Sequence, residues 1–240
     1  MELIHIAAAL FSALLHASWN AAVKGSTRPT DAMTGQMVVA AVVMLPVLMW
    51  TGMPAMESWK WILISTLVNM YTVKALLRAY ELAGFGVVYP TGRAVSVMMV
   101  VPLSTWIAGD RIVWPMLVGI GLIVMALVLV AVSSQRDKNF SPQAIGWTLL
   151  AGGGIAMYVM ADARGVRVSG SALGYCALVS ISNGVAMAWR QRQRGSPWST
   201  VRNTARVSLP AGIASALSYL LILDRKSTRL NSSHTDISRM

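Results

Sequence analysis

The sequence predicts an all-α membrane protein, a polytopic helical bundle, and three observations carry that reading. Hydrophobic residues make up 55% of the chain and charged residues only 12%, a balance too apolar for a soluble domain of this length. The apolar residues gather into long runs, each near the ~20 residues that a helix needs to cross a hydrocarbon core about 30 Å thick. Most of the arginine and lysine stand between the runs, and each break holds glycine or proline. Inside a bilayer such segments satisfy their backbone groups as helices.

Taken in order, the expected spans are Leu3–Val23, Ala32–Trp50, Trp61–Leu82, Phe85–Ile107, Trp114–Val132, Ala144–Ala163, Ala172–Trp189 and Val207–Leu223. The first is longer than a signal-peptide core and has no positive charge before it, so it is expected to stay in place. The breaks carry turn chemistry at Gly25–Pro29, Gly52–Pro54, Gly84–Gly86, Gly109–Arg111, Ser133–Pro142, Gly165–Gly170 and Gly195–Pro197. The third and fourth spans are joined so closely that they form a tight hairpin.

Net charge is +11, but the basic residues lie between apolar runs without the aromatic interleaving of a nucleic-acid groove, so the charge reads as membrane topology and no nucleic-acid partner is expected. Alternate loops share a side. One side holds Lys24, Arg28, Arg136, Lys138, Arg190, Arg192, Arg194, Arg202 and Arg206; the other holds Lys60, Arg111, Arg164 and Arg167. The first set is expected to be cytoplasmic, which puts the amino terminus outside. The single cysteine, Cys176, excludes an intrachain disulfide and a cysteine zinc site, and reads as a small packing residue. The many methionines and tryptophans read as lipid-facing filler and interface anchors.

Beyond Leu223 the composition turns abruptly polar. Asp224–His234 reads as a common sequencing-adapter oligonucleotide translated from its first base, so 224–240 is expected to be a non-native tail. Laying Phe11–Gly25 over Ala151–Gly165 aligns the basic-Gly ends Lys24-Gly25 and Arg164-Gly165, and the following spans agree in length. A five-span unit repeated once has inverted topology, because five is odd. The expected organisation is therefore 1–134 as a first five-helix repeat and 135–223 as a second, incomplete one, with about eight helices present of ten.

The stretch from Tyr71 to Asp110 is where charge enters apolar segments, and the working part of the chain is expected there. Counted from the hairpin at ~1.5 Å per residue, Lys74 and Arg93 both lie about 12–15 Å deep. Ionisable groups at that depth face a cavity or a partner. Tyr89 precedes Arg93 by one turn, and Pro90 removes a backbone donor beside them. On the first helix Ser12, His16 and Asn20 form one polar stripe, with Trp19 beside it; the plainer reading of His16 and Asn20 is hydrogen bonding to neighbouring helices. Arg78 and Glu81 are spaced to pair at the surface. Asp162 is read first as a boundary ion pair with Arg164 and second as a proton relay, and Gly152–Gly154 as a close helix contact. No nucleophile–base pair, phosphate loop or metal-ligand set stands out, so neither enzyme activity nor a cofactor is expected.

Two motifs carry a resemblance. His16-Ala17-Ser18-Trp19-Asn20 with Lys24 resembles the opening of EamA-like members of the drug/metabolite transporter superfamily. Ala79-Tyr80 followed by Val88-Tyr89-Pro90-Thr91-Gly92-Arg93 is similar to their A-Y-R-x-G-D-x-x-x-V-Y-P-x-x-R-G signature. Glu81, Ala83, Gly84 and Ala94 depart from that signature, Asp110 stands where members often have glutamate, and Lys74 belongs to no recognised motif. Tyr158, Asp162, Arg164 and Gly165 support a second repeat more loosely. The resemblance implies ten helices in two inverted five-helix repeats around a central cavity, and export or import of a small metabolite without ATP by alternating access. The expectation is a multi-pass protein of the cell inner membrane that moves a small polar, anionic metabolite. Its expected substrate-binding residues are His16, Trp19, Asn20, Lys74, Tyr89 and Arg93, with Tyr158 and Asp162 as cavity or ion-coupling residues. The lipid bilayer and the metabolite are its expected partners, and a homodimer is a candidate assembly. A lipid-linked carrier flippase and a non-transporting membrane scaffold are the alternatives.

Overall fold

The computed structural model describes residues 2–108, 114–136 and 141–218. Among them the elements are α1 (Glu2–Gly25), α2 (Pro29–Thr51), a 3₁₀ turn (Met56–Ser58), α3 (Trp59–Leu82), α4 (Phe85–Ala108), α5 (Trp114–Arg136), α6 (Pro142–Val168), α7 (Ala172–Gln191), a second such turn (Arg192–Arg194) and α8 (Pro197–Asn203). The chain is helical again over 205–218, and the described residues contain no strand. Asp110, Arg111, Lys138, the end of the eighth expected span and the tail from Asp224 lie outside the described residues.

Among the described residues five helical segments are long and apolar enough to cross a membrane: Pro29–Thr51, Met56–Leu82, Phe85–Ser104, Pro142–Val168 and Ala172–Gln191. The other three expected spans are helical where described, as α1, α5 and the run 205–218. The fold is an all-helical, multi-pass membrane protein.

Local chemistry sets the ends. Pro29 opens α2 with Asp31 in its first turn, which suits the unpaired N–H groups there. Gly52 closes it at a φ of 76°, donating its N–H to the Leu48 carbonyl at 2.9 Å. Ser171 caps α7 by accepting the Gly174 N–H at 3.0 Å. Pro46, Pro90 and Pro102 sit inside helices that continue through them. Two departures from the expected elements follow from polar residues that end an apolar run without ending a helix. α6 runs past Ala163 to Val168, placing Asp162 and Arg164 inside it. The polar link before the last span contains α8, capped by Ser196 with Pro197 in its first turn.

The chain divides into two compact units, Met1–Trp59 with Gly165–Met240, and Lys60–Arg164. In the first, α2 is the central helix, packing most extensively on α7 and also on α8 and α1. Small residues allow the approach. A Cβ built on Gly184 meets the Ala41 Cβ at 2.6 Å and the Met37 carbonyl at 2.8 Å, and one on Gly212 meets the Val39 Cβ at 2.6 Å. Met33, Met44 and Met187 are completely buried there, so these methionines are core, not the lipid-facing filler expected of them. Trp50 (82%), Trp114 (78%) and Trp189 (66%) stand exposed near helix ends, as interface anchors do, whereas Trp19, Trp61 and Trp147 are half-buried.

In the second unit α3 and α4 form the tight hairpin expected of them, closed by the Ala83 N–H to the Ala79 carbonyl and the Val88 N–H to the Gly84 carbonyl. Ala79, Tyr80 and Val88 bury themselves at its turn against Phe85, Tyr89 and Trp147, which ties the hairpin to α6. The triple glycine of α6 is a contact surface in an unbroken helix: Gly152 seats against Val95 and the Gly92 carbonyl, Gly154 against Thr72.

Candidate functional site

Arg93 sits in α4 at the same remove from the hairpin as Lys74 in α3, about 12 Å along each helix axis. Tyr89 lies one turn before it, stacked on Phe85 at a ring-centroid distance of 5.0 Å with the planes 13° apart. The Ser96 hydroxyl donates to the Arg93 carbonyl at 2.7 Å, holding the backbone in helical register just beyond Pro90. The Arg93 side chain is exposed into a groove of about 290 Å³ lined by Pro90, Thr91, Arg93, Ala94, Val97, Ile123 and Ala126, from α4 and α5. It is the one charged residue among them.

Tyr158 brings α6 to this place: its phenol interacts electrostatically with Arg93, with Asp162 one turn further along α6, and with Tyr89. The structure therefore brings four of the expected residues, Tyr89, Arg93, Tyr158 and Asp162, into electrostatic reach around the Tyr158 phenol. Lys74 is different. It stands on an exposed face of α3 and is not among the residues that line the groove. Arg78 and Glu81 form the expected surface ion pair at 2.5 Å, each about half exposed. In high dielectric such a pair contributes little to stability.

His16, Trp19 and Asn20 belong to the first unit. His16 and Trp19 meet edge to face, with ring centroids 5.0 Å apart and planes at 76°. Asn20 is buried and donates its amide to the His16 carbonyl at 2.8 Å, within its own helix. Ser12 donates to the Ser218 carbonyl at 3.1 Å, tying α1 to the run 205–218. The plainer reading expected an interhelical bond of this kind from His16 and Asn20; here Ser12 makes it, while the Asn20 amide bonds within α1. The Trp19 indole N–H is buried and has no hydrogen-bond partner. An unpaired buried donor is uncommon enough in a folded protein to mark a place where a ligand or water completes the bond.

Two polar groups of the first unit were not singled out from the sequence. The Gln36 side chain on α2 is 3% exposed, and its carbonyl oxygen and that of Asn183 on α7 are buried without partners. The available signal was an uncharged amide within an apolar helix, weaker than a charge because an amide costs less to bury. Among the described residues no group of three His, Cys, Asp or Glu is placed to hold a metal ion.

No curated protein and no solved structure matches the chain. The EamA-like transporter family matches residues 3–132, from α1 through most of α5 and more than half of the sequence. The chain belongs to the EamA-like transporter family, whose members are membrane transporters of small molecules.

Proposed function

We propose that the protein is a secondary transporter of the inner membrane, built as one five-helix repeat and an incomplete second repeat of inverted topology, which moves a small anionic metabolite by alternating access with Arg93 as its anion-binding group. The observation that carries this reading is Arg93 itself: a guanidinium midway along an apolar helix, exposed into a groove, with the phenol of Tyr158 in electrostatic reach. A cation at the centre of a membrane helix costs ~2.5–3.5 kcal/mol on insertion scales, and a bound anion offsets that cost. The planar fork fixes a carboxylate by two parallel hydrogen bonds, which orients as well as attracts. Asp162, inside α6 and coupled through Tyr158 to the same place, is the group we assign to proton or cation coupling.

The test is flux in sealed vesicles carrying the protein. Addition of organic anions one at a time is expected to drive proton or sodium movement, and Asp162→Asn to abolish the ion movement. Translocation of lipid headgroups with no solute flux would instead establish the flippase. Absence of both would leave the non-transporting scaffold.

A further inference from the structure

Resting on the reading of Arg93 as an anion-binding group, we propose that the α4–α5 groove selects amphipathic anions: a free organic acid whose carboxylate meets Arg93 and whose compact apolar body, one ring or a branched chain, fills the rest. The groove has one charged residue. Its other lining residues are Pro90, Thr91, Ala94 and Val97 of α4 and Ile123 and Ala126 of α5. A strongly hydrated acid finds one ionic partner there and little to replace the water around its remaining polar groups, so a polar body is penalised. An apolar body gains by leaving water, with the gain growing with the area covered. The volume of about 290 Å³ falls just under the ~300–1,000 Å³ of small-molecule pockets, which suits a single ring and is far less than the paired acyl chains of a phospholipid occupy. The two alanines set the width, since a larger side chain at either position occupies the space that the ring would take.

The experiment measures equilibrium binding of propionate, 3-phenylpropionate and 3-phenylpropan-1-ol to the full chain in lipid nanodiscs, with uptake by empty discs subtracted. The expected result is 3-phenylpropionate binding at least tenfold more tightly than propionate, with the alcohol weaker than the phenyl acid. Arg93→Gln should remove the advantage of the phenyl acid over the alcohol. Ala126→Phe should lower the preference for phenylpropionate over propionate, and its unchanged elution and helical signal in the same discs would show that the fold is kept. Equal affinities for the two acids, both lost in Arg93→Gln, would overturn the amphipathic selection and leave the anion site standing. Binding of the phenyl acid indifferent to Arg93→Gln would overturn both. A phospholipid with an anionic headgroup that competes with phenylpropionate across the same concentration range would overturn the assignment to a free acid.

Discussion

Trp19 poses a question that a single substitution answers. Its indole N–H is a buried donor without an acceptor, while its ring packs edge to face on His16. Trp19→Phe keeps an aromatic ring there and removes the orphan donor, so the fold loses little, within about 1 kcal/mol. If that donor serves a ligand, Trp19→Phe lowers substrate affinity by about 0.5–1.5 kcal/mol, the net worth of one hydrogen bond. Thermal unfolding beside ligand binding checks both halves. A drop in stability with no change in binding would make Trp19 a packing residue only. At this scale the sequence singled out residues where charge or an aromatic stood inside an apolar run, as with Tyr89, Arg93 and Tyr158, whose side chains interact electrostatically. It was uninformative for Ile123 and Ala126, because in a helix apolar all round, as α5 is, no periodicity tells which face meets a neighbour.

At the scale of elements, glycine decides how closely helices approach. Gly152 of α6 carries α4 against it, where a Cβ would lie 2.7 Å from the Val95 Cβ and 2.9 Å from the Gly92 carbonyl. A backbone carbonyl cannot swing aside, so Gly152→Ala is expected to destabilise by about 1–3 kcal/mol through overpacking. Gly146, on the same helix, has open space where a methyl group would stand, with nothing within 4 Å. Gly146→Ala is therefore expected to be neutral or to stabilise by up to ~1 kcal/mol through helix propensity. Melting temperatures of the two variants in one detergent check the contrast, and equal shifts would contradict the packing. Helix starts were legible from turn chemistry, as at Phe85, Trp114 and Ala172, where the apolar run and the helix begin together. Ends were less so. Asp162, Arg164 and Arg167 close the apolar run of the sixth span, yet all three are compatible with helix and α6 continues through them.

At the scale of the whole molecule, the arginines between α7 and the run 205–218 fix the expected orientation. Arg190, Arg192, Arg202 and Arg206 stand in a segment with no acidic residue, and the Arg192 guanidinium lies 4.2 Å from the Trp189 ring centroid, an interfacial pairing. Cys176, the only cysteine, is buried, so a label introduced by Gln193→Cys reports alone. That cysteine should resist a membrane-impermeant maleimide in intact cells and react in inverted membrane vesicles; the opposite pattern would reverse the topology. The proposed transport cycle turns on Arg93, and the most direct measurement is the affinity of one carboxylate ligand, 3-phenylpropionate, for the wild-type protein, Arg93→Lys and Arg93→Gln at equal amounts of inserted protein. Arg93→Lys keeps the charge and loses the fork, while Arg93→Gln loses both. Affinity is expected to fall in that order, with the lysine variant intermediate. Wild-type affinity in Arg93→Gln, or a loss matched by a fall in inserted protein, would show that Arg93 is structural and that the anion site lies elsewhere.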